Sequence, residues 1–256
     1  MDDHLHPRSG LLSLLPFPRK SQARRDGTGK PGSHPALIAA THPRSPVAEA
    51  YRQLRTNIQF SSLDRSCRTI LVTSAGLAED KSTMVANLAV TIAQTGASVV
   101  LVDADLRRPS LHAVFGLEPT AGLTNLFLVG DRAPRLLLQP TGVPQLQFLP
   151  SGPLPPNPSE LLGSARMEEV IERLKEEAQY VLFDAPPVVA VTDAAVLATR
   201  MEGVLLVVQA GHTKRDAAQK AKALLEKVNA PLLGVVLINA PYDASVHAYD
   251  TEARQP

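Results

Sequence analysis

Apolar positions along the chain fall into two kinds of run. Short blocks read Thr69-Ile70-Leu71-Val72-Thr73, Ser98-Val99-Val100-Leu101-Val102-Asp103 and Tyr180-Val181-Leu182-Phe183-Asp184, followed by Gly203 to Val208 and Gly234 to Ile238. They are rich in Leu or β-branched residues and show little polar alternation, the pattern of strands covered on both faces. Between them, residues 82–95, 165–178 and 214–228 carry apolar residues at helical spacing. Another helix is predicted from Val47 to about Leu63, opened by Ser45 as N-cap and Pro46 in the first helical position. Strand–helix alternation predicts a doubly wound, mostly parallel α/β sheet with helices on both faces. Right-handed crossovers then gather the strand C-termini along one edge, where such sheets hold ligands. No internal repeat is seen.

Ahead of Ser45 the periodicity stops. Residues 1–44 hold seven Lys/Arg against three Asp, a charge of +4, so the rest of the chain carries −3 of the total +1. This stretch, rich in Pro, Ser, Gly and His, reads as a disordered basic tail: a solvated linker, or a weak tether to anionic lipid or a partner. Residues 45–241 form the predicted folded domain, and 242–256 a flexible C-terminal tail. The near-neutral total gives no drive toward nucleic acid. A single cysteine, Cys67, excludes a disulfide framework and any multi-Cys metal site. The apolar run Leu11 to Phe17 is too short to span a bilayer and lacks a secretory cleavage pattern.

Chemistry-bearing residues stand at three strand ends. The first strand leads into Ser74-Ala75-Gly76-Leu77-Ala78-Glu79-Asp80-Lys81-Ser82-Thr83 and then a helix. A strand, a loop and Lys-Ser-Thr opening a helix is the layout of a phosphate-binding loop, a P-loop NTPase feature. In it, Lys81 reaches the β/γ-phosphates and the Ser82 hydroxyl ligates Mg²⁺, with Gly76 and Thr83 also at the phosphates. The second strand ends in Asp103-Ala104-Asp105-Leu106-Arg107. Asp103 and Asp105 can face one Mg²⁺–phosphate site, and Arg107 can meet a phosphate oxygen. A further apolar strand closes on Asp184, a second carboxylate on the metal side.

The chain resembles the bacterial tyrosine kinases of capsule and exopolysaccharide synthesis, the BY-kinases, in their stand-alone form. The resemblance covers about residues 45 to 241. It rests on Glu49-Ala50-Tyr51-Arg52-Gln53-Leu54-Arg55, the phosphate loop (Walker A), the Walker A′ run from Val102 to Pro109, Pro155-Pro156-Asn157-Pro158-Ser159-Glu160-Leu161-Leu162, and the Walker B run from Val181 to Pro187. It implies ATP and Mg²⁺ as cofactors, with Ser82, Asp103 and Asp184 at the metal. It implies Asp103 or Asp105 orienting or deprotonating a tyrosine hydroxyl, and Arg107 steadying the transferred phosphoryl. It also implies ring-like self-assembly through Glu49, Arg52 and Arg55, with Tyr242 and Tyr249 as candidate phosphoacceptors. Implied partners are a transmembrane polysaccharide co-polymerase, or chain-length regulator, and an active kinase or phosphatase. The implied location is cytoplasmic, at the inner membrane through that partner.

The departures define the functional question. Where the family loop carries glycines, this chain has Ala78 and Asp80. Glycine lets backbone approach phosphate at positive φ. A carboxylate about 4 Å from one phosphate charge, at an effective dielectric near 20, costs roughly 4 kcal/mol, about a thousandfold in affinity. The expected function is therefore a weakly active or non-catalytic BY-kinase homologue that regulates polysaccharide polymerisation and export. The alternatives are a working tyrosine autokinase and a partition-type ATPase. The last lacks its expected early lysine in Ser74 to Leu77.

Overall fold

The computed structural model describes residues 11–15, 36–61, 67–77, 79–128 and 135–240. The elements, in order, are β1 (Leu11–Leu15), α1 (Ile38–Thr41), α2 (Pro46–Ser61), β2 (Thr69–Ser74), α3 (Lys81–Ala93), β3 (Val99–Asp103), α4 (Leu111–Phe115) and α5 (Asn125–Leu128). They continue with β4 (Gln139–Pro140), β5 (Leu146–Leu149), α6 (Pro158–Gly163), α7 (Ala165–Glu177), β6 (Tyr180–Asp184), α8 (Asp193–Ala198), β7 (Gly203–Gln209), α9 (Arg215–Lys227) and β8 (Leu232–Ile238). The strands form one eight-stranded sheet in the order β1-β8-β7-β2-β6-β3-β5-β4. Every pairing is parallel except β4 with β5.

Alternate residues of each central strand feed opposite cores. Ile70, Val72, Leu101, Leu182 and Leu205 pack beneath α1 to α4, whereas Leu71, Val100, Val102, Phe183 and Leu206 pack beneath α6 to α9. Burial on both faces explains the unbroken apolar blocks in the sequence. The five predicted strands and four longer predicted helices all form. Ser45 caps α2 by accepting the N–H of Ala48 at 3.1 Å. The elements not predicted (β1, β4, β5, α1, α4 to α6 and α8) span six residues or fewer, too few to display a period.

Two of these short elements correct the reading of 1–44 as a wholly unstructured tail. The backbone of Leu11–Leu15 adds to the edge of β8. The α1 segment is tied to α3 by Asn87, whose Oδ1 accepts the Ala39 N–H at 2.9 Å and whose Nδ2 donates to the Ala36 carbonyl at 2.8 Å. Buried Leu37 and Ala39 complete that dock, so residues 36–41 belong to the folded body. The rest of that stretch before residue 36, and the tail expected over 242–256, lie outside the described residues. Among the described residues, no helix is long and apolar enough to cross a membrane.

The order β2-β6-β3 places the ends of these three strands side by side. The chain crosses from β2 to β3 through α3 on one face and from β6 to β7 through α8 on the other. That reversal opens a crevice at the C-terminal edge.

Candidate nucleotide site

β2 ends at Ser74, and the phosphate loop turns back toward α3. Ser74 Oγ donates to the Gly76 carbonyl at 2.8 Å. Ala78 lies outside the described residues. Asp80 has φ 40° and ψ 24°, the left-handed region that glycine enters freely and Asp tolerates better than most residues. Its carbonyl accepts the Met84 N–H at 3.0 Å and so starts α3. The helix thus begins as the motif requires, with a carboxylate-bearing residue at the turn.

Glu79 faces inward, 3% exposed. Its Oε1 accepts the hydroxyl proton of Thr213 from the loop between β7 and α9. Thr213 Oγ1 also accepts the Gln209 N–H at 2.9 Å. A Cβ at Gly76 would stand 3.0 Å from Glu79 Oε1, a tight contact that the Glu79 side chain would have to relieve. The sequence reading missed the Glu79–Thr213 link, since nothing local pairs residues 134 apart.

Lys81, Ser82, Asp103 and Asp184 do come together. The buried Lys81 Nζ is ion-paired with Asp184 Oδ1. Ser82 Oγ donates to Asp184 Oδ2 at 2.5 Å, and Ser110 Oγ donates to Ser82 Oγ at 2.9 Å. Thr83 follows in the first turn of α3, where its carbonyl accepts Asn87 Nδ2 at 2.9 Å. Asp103 and Asp184 are direct register partners on β3 and β6. Asp103 Oδ2 accepts the N–H groups of Ser110 and Leu111, both at 3.1 Å. Burial, then the neighbouring Asp184, push the Asp103 carboxyl up to about 8. Burial also raises Asp184, against the pull of Lys81 and Ser82.

Asp105 and Arg107 have partners of their own. Asp105 Oδ1 accepts the backbone N–H groups of Arg108 at 3.0 Å and Arg107 at 3.3 Å, folding the loop after β3. The Arg107 guanidinium forms a two-pronged pair with Asp193 at the start of α8. Asp193 was not read from the sequence, although an Asp opening a helix after Pro186-Pro187 offers a faint signal.

The α2 residues are engaged within the chain. Arg52 Nε donates to Glu49 Oε2 at 2.7 Å, and Arg52 Nη1 to the Pro43 carbonyl at 2.8 Å. Arg55 Nη1 donates to the Thr91 carbonyl of α3 at 3.1 Å. Between them Tyr51 is fully buried. Burial, then the charge of Asp80, raise its hydroxyl pKa well above the usual tyrosine value. Tyr242 and Tyr249 lie outside the described residues.

The residues present fit a magnesium–nucleotide. Among the described residues no group of three or more His, Cys, Asp or Glu could hold a metal alone. A P-loop Mg²⁺ instead draws on one hydroxyl, an acidic side chain, phosphate oxygens and water. Ser82 and Asp184 would supply the protein's share. Asp103 Oδ1 is buried beside them with no donor among the described residues.

Comparison with known proteins identifies the family. A ParA-type family model, described as a NUBPL iron-transfer P-loop NTPase, matches residues 66–245. The tyrosine-protein kinase YwqD of Bacillus subtilis is 43% identical over 201 residues, covering 78% of this chain and 84% of that protein. The crystal structure of the chimerical protein CapA2B2 superposes with a TM-score of 0.80 at 34% identity, over 91% of this chain and 96% of that one. The kinase domain of the Escherichia coli tyrosine kinase ETK gives 0.81 at 27% identity, over 92% and 93%. A phosphate loop, paired strand-end aspartates and this degree of likeness place the chain in the bacterial tyrosine kinase family of capsule and exopolysaccharide synthesis, within the ParA-like P-loop NTPases.

Proposed function

We propose that the chain is a regulatory BY-kinase homologue whose nucleotide site is weakened, acting with a transmembrane chain-length regulator in polysaccharide polymerisation and export. The observation that carries this reading is Asp80, a carboxylate residue in the left-handed turn directly before Lys81. In that turn a glycine would bring only backbone toward phosphate. In this reading the protein is cytoplasmic and peripheral to the membrane through its partner. Glu49, Arg52 and Arg55 on α2 serve its self-assembly.

A bound Mg·ATP would supply the phosphoryl group and the counter-charge for its transfer. The chain's own share of the work would fall to five residues. Lys81 would release Asp184 and hold the β/γ-phosphates, Ser82 and Asp184 would hold the metal with Asp103 beside them, and Asp103 or Asp105 would orient or take the proton of a tyrosine hydroxyl. A second reading, an active autokinase using Tyr242 or Tyr249, is favoured by the retained left-handed turn at Asp80 and by the assembly of Lys81, Ser82, Asp103 and Asp184.

Calorimetry with Mg·ATP separates the two. The unaltered chain is expected to show no binding and no autophosphorylation, and the Ala78→Gly/Asp80→Gly variant to gain binding by up to about a thousandfold. Micromolar binding by the unaltered chain, with phosphotyrosine lost on Lys81→Ala, would establish the active kinase instead.

A further inference from the structure

The sequence gives the phosphoryl-steadying role to Arg107, but the structure commits that side chain elsewhere. Its Nε and Nη2 reach the two carboxylate oxygens of Asp193 at 2.8 and 3.0 Å, the parallel fork that fixes guanidinium and carboxylate together. The Asp193 side chain is fully buried at 0% exposure, while that of Arg107 is 40% exposed. Without Arg107, Asp193 becomes a buried carboxylate with no cation, a costly state. The pair therefore serves as a strut joining the β3–α4 loop to the start of α8.

The same loop is pinned twice more. Asp105 Oδ1 holds the backbone N–H groups of residues 107 and 108. At the far end, Ser110 reaches Ser82 at 2.9 Å. Between these pins stands Arg108, which is exposed. Among the described residues its side chain has no hydrogen bond or ion pair, and its backbone N–H is held by Asp105. The loop thus places the exposed Arg108 guanidinium, unpaired among the described residues, at the edge that carries Lys81, Ser82 and Asp184. Guanidinium is always charged, and its donors match a phosphate group; a pre-ordered backbone lowers the ordering cost of the contact.

We propose that Arg107 is a structural strut paired with Asp193, and that Arg108 is the residue that touches the phosphate group arriving at this edge, carried either by a nucleotide or by a phosphotyrosine. The proposal rests on reading this edge as a phosphoryl site.

Two measurements test the division of roles. In thermal unfolding, Arg107→Ala and Asp193→Asn should each lower Tm by about 5 °C or more. The double variant should fall short of their sum, because the two residues act as a unit. Arg108→Ala should leave Tm within about 1 °C, as surface changes do. In calorimetry, Mg·ATP is titrated into the Ala78→Gly/Asp80→Gly chain, and a phosphotyrosyl peptide of residues 245–256 into the unaltered chain. Arg108→Ala should weaken at least one of these ligands about tenfold, and the arm that falls identifies the carrier of the phosphate. Undiminished affinity in both arms, no binding by either parent, an unchanged Tm in Asp193→Asn, or an Arg108→Ala Tm as low as that of Asp193→Asn would each overturn the proposal. Failure of the glycine-restored chain to bind Mg·ATP, with an Arg108-dependent peptide arm, would sink the nucleotide reading and leave this proposal standing.

Discussion

The two sides of the candidate site follow the family motif to different degrees. On the side built by β3 and β6, every motif carboxylate is present and held in place. Asp103 is fixed by two backbone N–H groups, Asp105 folds its own loop, and Asp184 takes both Lys81 and Ser82. On the side built by the phosphate loop, the backbone path persists at Asp80 but the residue there is no longer glycine. The motif residues that match are those whose side chains also support one another within the buried sheet edge. The departure falls where the motif calls for the absence of a side chain. The carboxylate face is part of the core's own hydrogen bonding, and losing any member leaves buried polar atoms unpaired. Filling a glycine position on the rim carries no such penalty while no polyanion is bound.

The contrast can be broken from either side. The largest expected effect is Lys81→Met, which removes the cation from the fully buried Asp184. Breaking a buried pair this way costs about 3 kcal/mol or more. Protonation of Asp184, whose carboxyl is already raised, limits the loss. Denaturant unfolding should show it without any nucleotide present; an unchanged midpoint would show that the carboxylate side does not depend on Lys81 for stability.

A smaller effect is expected from Thr213→Val, which takes the hydroxyl donor from buried Glu79. Leaving that carboxylate unsatisfied costs roughly 1–3 kcal/mol. Its specific signature is faster amide hydrogen exchange across residues 74–80, with the α7 amides unchanged.

The most delicate test is pH. The Asp103 carboxyl sits near 8 in the folded chain against an ordinary 3.8, so the folded state holds a proton that the unfolded state has lost. Its contribution is full below about pH 4 and fades as pH rises toward 8. Asp103→Asn, which cannot ionise, should flatten the fall in Tm between pH 5 and 8 relative to the unaltered chain. Equal slopes would mean that Asp103 is already ionised across this range.

Much of this architecture was legible because long-range burial leaves a local mark. A strand covered on both faces must be apolar at every position, and Val99 to Val102 or Val181 to Phe183 say so residue by residue. The phosphate loop was legible through spacing, since Lys81 and Ser82 must open a helix directly after a strand. What stayed hidden depends on partners far along the chain. Arg107 meets Asp193 across 86 residues, and no local pattern distinguishes that Arg from one aimed at a ligand. Glu79 looks like a surface residue until Thr213 is seen beside it. Leu11–Leu15 is too short to declare itself as a strand, and its place in the sheet is set by the edge that β8 offers.

The Lys81–Asp184 pair makes the site its own competitor. The carboxylate occupies the lysine from within the same molecule, so no dilution or dialysis removes it. In the proposed nucleotide role a phosphate would have to take Lys81 from a partner that never leaves, and its apparent dissociation constant would rise by the inverse of the fraction of molecules with the pair open. A divalent metal held by Asp184 and Ser82 would tilt the same balance from the other side, because it would remove the lysine's incentive to stay. Metal and phosphate should therefore bind cooperatively even if they never touch, each releasing one half of a closed pair for the other.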